Sequence, residues 1–187
     1  MNIAIIVAAG RGTRFGAGLS KQYLPIAGKP LLCHTLDKFC ACDAVNAIVL
    51  VVAAPEMEYC KTHILSHMAP THGIRLAAGG DQRQDSVLKG LAAAGAADDD
   101  VALIHDGVRP FVTHELIRAC VAGLADADGC MAAIPASDTL AAVTPEYDVD
   151  RIIDRDGVWL AQTPQVFRFR TIMEAHRQAA AQGWRVT

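Results

Sequence analysis

Five short runs of β-favouring apolar residues punctuate the chain: Ile3 to Val7, Ala47 to Ala53, Ile74 to Ala77, Val101 to Ile104 and Met131 to Ile134. Between and after them, apolar residues return at helical spacing. Helices are expected from about Pro30 to Cys40, near Glu56 to His67, and on a face carrying Val87, Leu88, Leu91 and Ala94. Two more are expected, one through Leu116, Ile117, Cys120, Val121 and Leu124 and one from Thr171 to Gln182. The run from Ala47 to Ala53 is unbroken, as in a strand covered on both faces. Alternating strands and helices imply right-handed crossovers and a three-layer, mainly parallel sheet within one domain. Ligands of such sheets sit beyond the carboxyl ends of the strands.

Residues 136–159 break this pattern. They show no helical period, carry many charges, and hold short β-type pieces around Leu140 to Val143 and Arg151 to Ile153. The stretch reads as a projecting arm whose Leu140, Val143, Ile152 and Ile153 need cover, with a second subunit as the expected source. Asp98 to Asp100 reads as a solvated turn. Gly183 to Thr187 reads like the opening of a further strand, so a C-terminal segment is expected to be missing.

Composition narrows the function classes. A chain of 187 residues that is 52% hydrophobic can bury a full core. A net charge of -3 gives no general attraction to nucleic acid or to an anionic membrane, so a polyanion would have to be bound locally. No apolar run reaches the length of a membrane span, and Met1 leads straight into a strand, which points to a cytoplasmic enzyme. The six cysteines are scattered through expected helices and a strand, as reduced and mostly buried thiols would be. Cys60, His63 and His67 could share a helix face, but no second paired motif completes a metal site, and no protein metal ligand is assigned.

The chemistry concentrates after the first strand. Gly10, Gly12, Gly16 and Gly18 let backbone N–H groups approach an anion, while Arg14 and Lys21 supply charge. The loop lacks the Gly-x-x-x-x-Gly-Lys-Ser/Thr run of a P-loop. The third glycine falls one place late for a dinucleotide fingerprint, and Pro25 and Pro30 delay the helix. At the same sheet edge the order places Gly80, Asp81 and Ser86, then Asp106 and Arg109, then Thr163. No Gly-x-Ser-x-Gly elbow or evident nucleophilic cysteine supports covalent catalysis. Phosphoryl or nucleotidyl transfer fits better, because it needs in-line positioning and charge neutralisation more than a reactive side chain.

Six ordered motifs carry a resemblance. They are Ala8-Ala9-Gly10-x-Gly12-x-Arg14, Lys21-Gln22-Tyr23, Gly79-Gly80-Asp81-x-Arg83-x-Asp85-Ser86, His105-Asp106-x-x-Arg109-Pro110, Asp154-Arg155-x-Gly157-x-Trp159 and Thr163-Pro164-Gln165. Together they resemble the 2-C-methyl-D-erythritol 4-phosphate cytidylyltransferases of isoprenoid biosynthesis, over Ile3 to about Thr187. The resemblance implies a Rossmann-like nucleotide-binding sheet of the nucleotide-diphospho-sugar transferase type, with a β-arm over 136–159 that clasps a second copy.

The resemblance also implies roles. Ala8, Ala9, Gly10 and Gly12 would contact CTP through the backbone, and Gly80, Asp81 and Ser86 would enclose cytosine and ribose. Arg14 and Lys21 would be catalytic, stabilising the pentacoordinate α-phosphate as the 4-phosphate of methylerythritol attacks and pyrophosphate leaves. Asp106 would serve both substrates, Arg109 and Thr163 would line the polyol phosphate site, and Thr139 and Arg155 would reach it from the partner's arm. Mg²⁺ would be held mainly by the nucleotide phosphates. Gly107 departs from the alanine usual in the family, and the family's lysine in an Asn-x-Lys-Val-Thr context has no counterpart up to Thr187. The related ribitol 5-phosphate cytidylyltransferases share the cation loop and Thr-Pro-Gln; Asp154-Arg155-x-Gly157-x-Trp159 favours methylerythritol phosphate. A non-catalytic nucleotide-binding module is the remaining reading if the chain ends at Thr187.

Overall fold

The computed structural model describes residues 1–10, 20–68 and 73–185. Its centre is β1 (Asn2–Ala8), flanked in parallel by β4 (Ala47–Val52) and β6 (Val101–Asp106), with β5 (Ile74–Ala78) parallel to β4 at one edge. The full sheet runs β5-β4-β1-β6-β10-β7, where β7 is Gly129–Pro135 and β10 is Trp159–Arg168. From β1 the chain winds outward to β4 and β5, then returns to the other side of β1 as β6. That reversal opens a crevice where β1 and β6 end.

The period-two pattern sorts side chains between two cores. Ala4, Ile6, Ile48, Leu50 and Val52 pack on the face covered by α1 (Leu31–Cys40) and α4 (His114–Ala122), through Leu32, Leu36, Phe39, Ile117 and Cys120. Ile3, Ile5, Val49 and Val51 pack on the opposite face, covered by α3 (Arg83–Ala93) and α5 (Phe169–Ala181) through Val87, Leu91 and Phe169. Because both faces of the central strands are covered, their apolar runs are continuous. Cys33, Cys40, Cys42, Cys60 and Cys120 are free and buried, and Cys130 is free and partly buried.

Several local expectations are corrected. A strand was not foreseen over Trp159–Arg168, yet β10 lies antiparallel between β6 and β7. Its pattern is interrupted by Gln162, Thr163 and Pro164, and there the register to β7 shifts between Ala161 and Gln165. A proline in a strand marks such a bulge. The sheet is therefore mainly parallel with one inverted strand.

Pro25–Ile26 (β2) and Lys29–Pro30 (β3) form a small hairpin before α1, closed by Ala27 and Gly28 at φ 51 and 77. The helix expected near Glu56 to His67 is irregular: a 3₁₀ turn Ala54–Glu56, the single turn α2 (Met57–Tyr59), a π turn Cys60–Ile64 and a 3₁₀ turn Leu65–His67. Cys60 is buried there while His63 and His67 are exposed, so the three do not converge, and His63 stacks on Tyr59 instead. Asp100 is not solvated: it is buried, and its Oδ2 accepts the Ala97 N–H at 2.8 Å. The arm forms as a hairpin, β8 (Leu140–Val143) against β9 (Val149–Ile153).

Candidate active site

Two adjoining clefts open at the carboxyl edge of the sheet. The first, of about 640 Å³, is lined by the end of β1 (Ala8, Ala9, Gly10), by Lys21, by the turn after β5 (Gly79, Gly80, Asp81) with Ser86, and by Asp106 at the end of β6. Of the residues that the resemblance assigns to a nucleotide, Ala8, Ala9, Gly10, Gly80, Asp81, Ser86 and Asp106 line this one cleft. Gly12 and Arg14 lie outside the described residues.

The turn after β5 explains why glycine stands at Gly79. Its N–H donates to the Val52 carbonyl at 2.7 Å, and a Cβ there would meet the Cβ of Ala9 at 2.4 Å. Close apposition of the β1 and β5 ends, which shapes the cleft, needs a residue with no side chain. Ser86 is buried and its hydroxyl accepts the Gly80 N–H at 3.1 Å, so it holds the turn from α3. Gln82 and Asp85 form a reciprocal capping box at the start of α3, which fixes that helix under the cleft. Gly107 is equally tight: a Cβ there would lie 2.9 Å from Leu32 Cδ1 and 3.0 Å from Ala8 Cβ. In this chain alanine at that position requires Leu32 to move.

The second cleft, of about 510 Å³, is mainly apolar and is lined by Arg109, Phe111, Leu116, Ile134, Gln162 and Thr163 among others. Val108 lines both, and Asp106, in the wall of the first, bonds to Arg109 in the wall of the second. Asp106 Oδ1 accepts from Arg83 Nε at 3.0 Å and its Oδ2 from Arg109 Nε at 3.0 Å, so one carboxylate aligns two guanidinium groups. Arg83 also donates to Gln165 Oε1 at 3.4 Å, Arg109 donates to Gln162 Oε1, and the Asp106 N–H donates to Thr163 Oγ1 at 3.4 Å. The bulge in β10 thus turns Gln162, Thr163 and Gln165 toward β6. Arg83, Gln162 and Gln165 were not singled out from sequence. Arg83 and Gln165 each lie within one of the six motifs, and the place of Arg83 beside the capping residue Gln82 puts it at the cleft edge once α3 is in place.

Thr139 and Arg155 are in the arm, outside both clefts of their own chain. Thr139 is exposed, and Arg155 donates to the Ser137 carbonyl.

His105 supports this geometry from beneath. It is buried, packs against Phe39 at 4.8 Å between ring centroids, and its Nε2 meets the Arg109 carbonyl at 3.1 Å, while Nδ1 has no partner. Burial pushes its pKa down to about 4, outweighing the hydrogen bond to Arg109 and the charge of Asp106. The unfolded imidazole, at about 6.5, takes up a proton first. Stability is therefore full above about pH 6.5 and falls as pH drops toward 4, by on the order of 3 kcal/mol from this group. Urea unfolding at pH 7 and pH 4.5 should show a smaller loss for His105→Gln than for the parent; equal losses would place the acid sensitivity elsewhere.

A cleft at a topological switch point, lined by Lys21 and Arg83 and adjoined by a second cleft, is the arrangement of a nucleotide-binding enzyme of the α/β class. The family described as 2-C-methyl-D-erythritol 4-phosphate cytidylyltransferase matches residues 2–187. The enzyme of that name from Geotalea uraniireducens is 43% identical over 182 residues, covering 97% of this chain and 78% of its own. The one from Geobacter metallireducens is 42% identical over 181 residues, covering 96% and 78%. Among solved structures, 4-diphosphocytidyl-2C-methyl-D-erythritol synthase from Anaerococcus prevotii aligns with a TM-score of 0.83 at 29% identity, covering 100% of this chain and 78% of that one. The chain belongs to the 2-C-methyl-D-erythritol 4-phosphate cytidylyltransferase family and is a cytidylyltransferase.

Proposed function

We propose that the chain transfers the cytidylyl group of CTP to the phosphate of 2-C-methyl-D-erythritol 4-phosphate, with the nucleotide in the first cleft and the polyol phosphate in the second. The observation that carries this division is Asp106, whose two oxygens orient Arg83 toward one cleft and Arg109 toward the other. Ala8, Ala9 and Gly10 offer backbone N–H groups to phosphate. Gly80, Asp81 and Ser86 enclose the base and ribose, and Lys21 meets the charge that grows on the α-phosphate. The polyol's phosphate monoester, with a second pKa of about 6, is ionised at neutral pH and attacks without a strong general base. Its oxygen forms the new P–O bond as the bond to pyrophosphate breaks.

Mg²⁺ fits this site as a companion of the nucleotide. Both Asp106 oxygens are taken by guanidinium groups, and no three His, Cys, Asp or Glu side chains converge among the described residues. The phosphates would then supply most of its ligands, and the ion would neutralise their charge.

The arm is proposed to clasp a second copy of the chain. It leaves Tyr147 88% and Ile152 62% exposed, which a partner would cover, and the partner's Thr139 and Arg155 would then complete the polyol phosphate site. Among the described residues no helix is long and apolar enough to cross a membrane, and action in the cytoplasm is part of the same reading. Pyrophosphate release with CTP and each polyol phosphate tests the assignment. Turnover is expected with methylerythritol phosphate and not with ribitol 5-phosphate; turnover of the ribitol ester alone would reassign the second cleft.

A further inference from the structure

Glu56 has no part in the roles above, yet three side chains of one four-residue segment converge on it. The Ser20 hydroxyl donates to Oε1, while Gln22 Nε2 and the Tyr23 hydroxyl donate to Oε2 at 3.2 and 3.1 Å. Gln22 spends its second N–H on the Ala8 carbonyl at 2.9 Å, tying the same segment to the end of β1. Gln22 and Tyr23 are buried, and the Tyr23 ring lies 5.0 Å from that of Tyr59, one turn beyond Glu56. Burial, with Cys60 and Glu56 adding to it, holds the Tyr23 phenol well above its ordinary pKa, so it remains a donor. Glu56 itself is set by the 3₁₀ turn after β4, where its N–H donates to the Ala53 carbonyl at 2.8 Å.

Lys21 lies inside this clamped segment and lines the nucleotide cleft, while its neighbours on both sides are held. No carboxylate among the described residues pairs with it. We propose that Glu56 is a positioning residue for Lys21, fixing the Ser20–Tyr23 segment across the ends of β1 and β4 so that the ammonium group is presented to the nucleotide. The inference rests on the role proposed above for Lys21.

A carboxylate suits the task because it only accepts, and three donors face it. Glutamine has nearly the same shape but must point N–H groups at donors, so Glu56→Gln loosens the clamp with little change in volume. Positioning and general support of the fold are separated by a double-mutant cycle, since residues that act through one another are not additive.

Single-turnover rates with CTP, Mg²⁺ and methylerythritol phosphate should be measured for the parent, Glu56→Gln, Lys21→Ala and the double variant, with melting temperatures alongside. Glu56→Gln is expected to slow the reaction by about 10-fold or more in the parent and by less than about 3-fold in the Lys21→Ala background. Glu56→Asp, which keeps the charge, should recover part of the rate. Equal fold losses in both backgrounds, or a near-normal rate for Glu56→Gln, would overturn the proposal. A near-normal rate for Lys21→Ala would instead overturn the role of Lys21 itself, a distinct failure. Should Glu56→Gln not fold, Tyr23→Phe removes a single donor, and the same contrast between backgrounds is required of it.

Discussion

Replacing Lys21 by alanine is expected to lower turnover by about 10²- to 10⁴-fold while leaving the melting temperature within a few degrees of the parent. The side chain lines the nucleotide cleft from the 3₁₀ turn Lys21–Tyr23, with Gln22 and Tyr23 buried beneath it. Its side chain's fold contribution is small, because it is half-buried and the side-chain hydrogen bonds of its segment are made by Ser20, Gln22 and Tyr23. Its chemical contribution is large: negative charge grows on the phosphoryl oxygens as the transition state forms, and a fixed cation inside the cleft meets it without reorganising. The signature is a fall in kcat larger than the rise in KM for CTP. A rise in KM alone would mean that Lys21 binds ground state and transition state alike.

Asp106→Asn should lower kcat/KM for both substrates by about 10²-fold, since it disturbs both guanidinium groups at once. In the parent, each oxygen receives one Nε–H at 3.0 Å. An amide keeps one acceptor and turns an N–H₂ group toward the other guanidinium, leaving Arg83 or Arg109 without its anchor. Arg83 then swings on its hydrogen bond to Gln165, or Arg109 on its bond to Gln162. Because this carboxylate lines the first cleft and bonds to Arg109 of the second, a loss seen with only one substrate would place it in a single half-site and remove the basis for a shared role. Far-ultraviolet circular dichroism should be unchanged, as Asp106 is partly exposed at a strand end.

Most of the layered order was legible in the residues. Runs such as Ala47 to Val52 cannot be covered on one face alone, and the helical spacing around Val87 and Leu91 names the face that covers them. The glycine-rich end of β1, the turn at Gly79 and Gly80, and Asp106 fall at one edge because parallel strands all end there. Trp159–Arg168 was not read as a strand, since Gln162, Thr163 and Pro164 break its alternation where the ladder bulges. Glu56 gave no signal either, because its three partners are assembled by a loop closure and not by a spacing.

By itself, then, the sequence determined most of the local terms of this protein: the central parallel strands and the longer helices, the faces they bury, and the cations and glycines able to meet a phosphate. Those properties follow from periodicity and backbone freedom within a few residues. Only the tertiary structure decided that Asp106 is shared by Arg83 and Arg109, that β10 runs against its neighbours, and that Glu56 gathers the segment around Lys21. These depend on partners as far apart as the 82 positions between Arg83 and Gln165, or the 36 between Ser20 and Glu56. Such distances are closed by packing two cores on one sheet, and no local pattern along the chain records them.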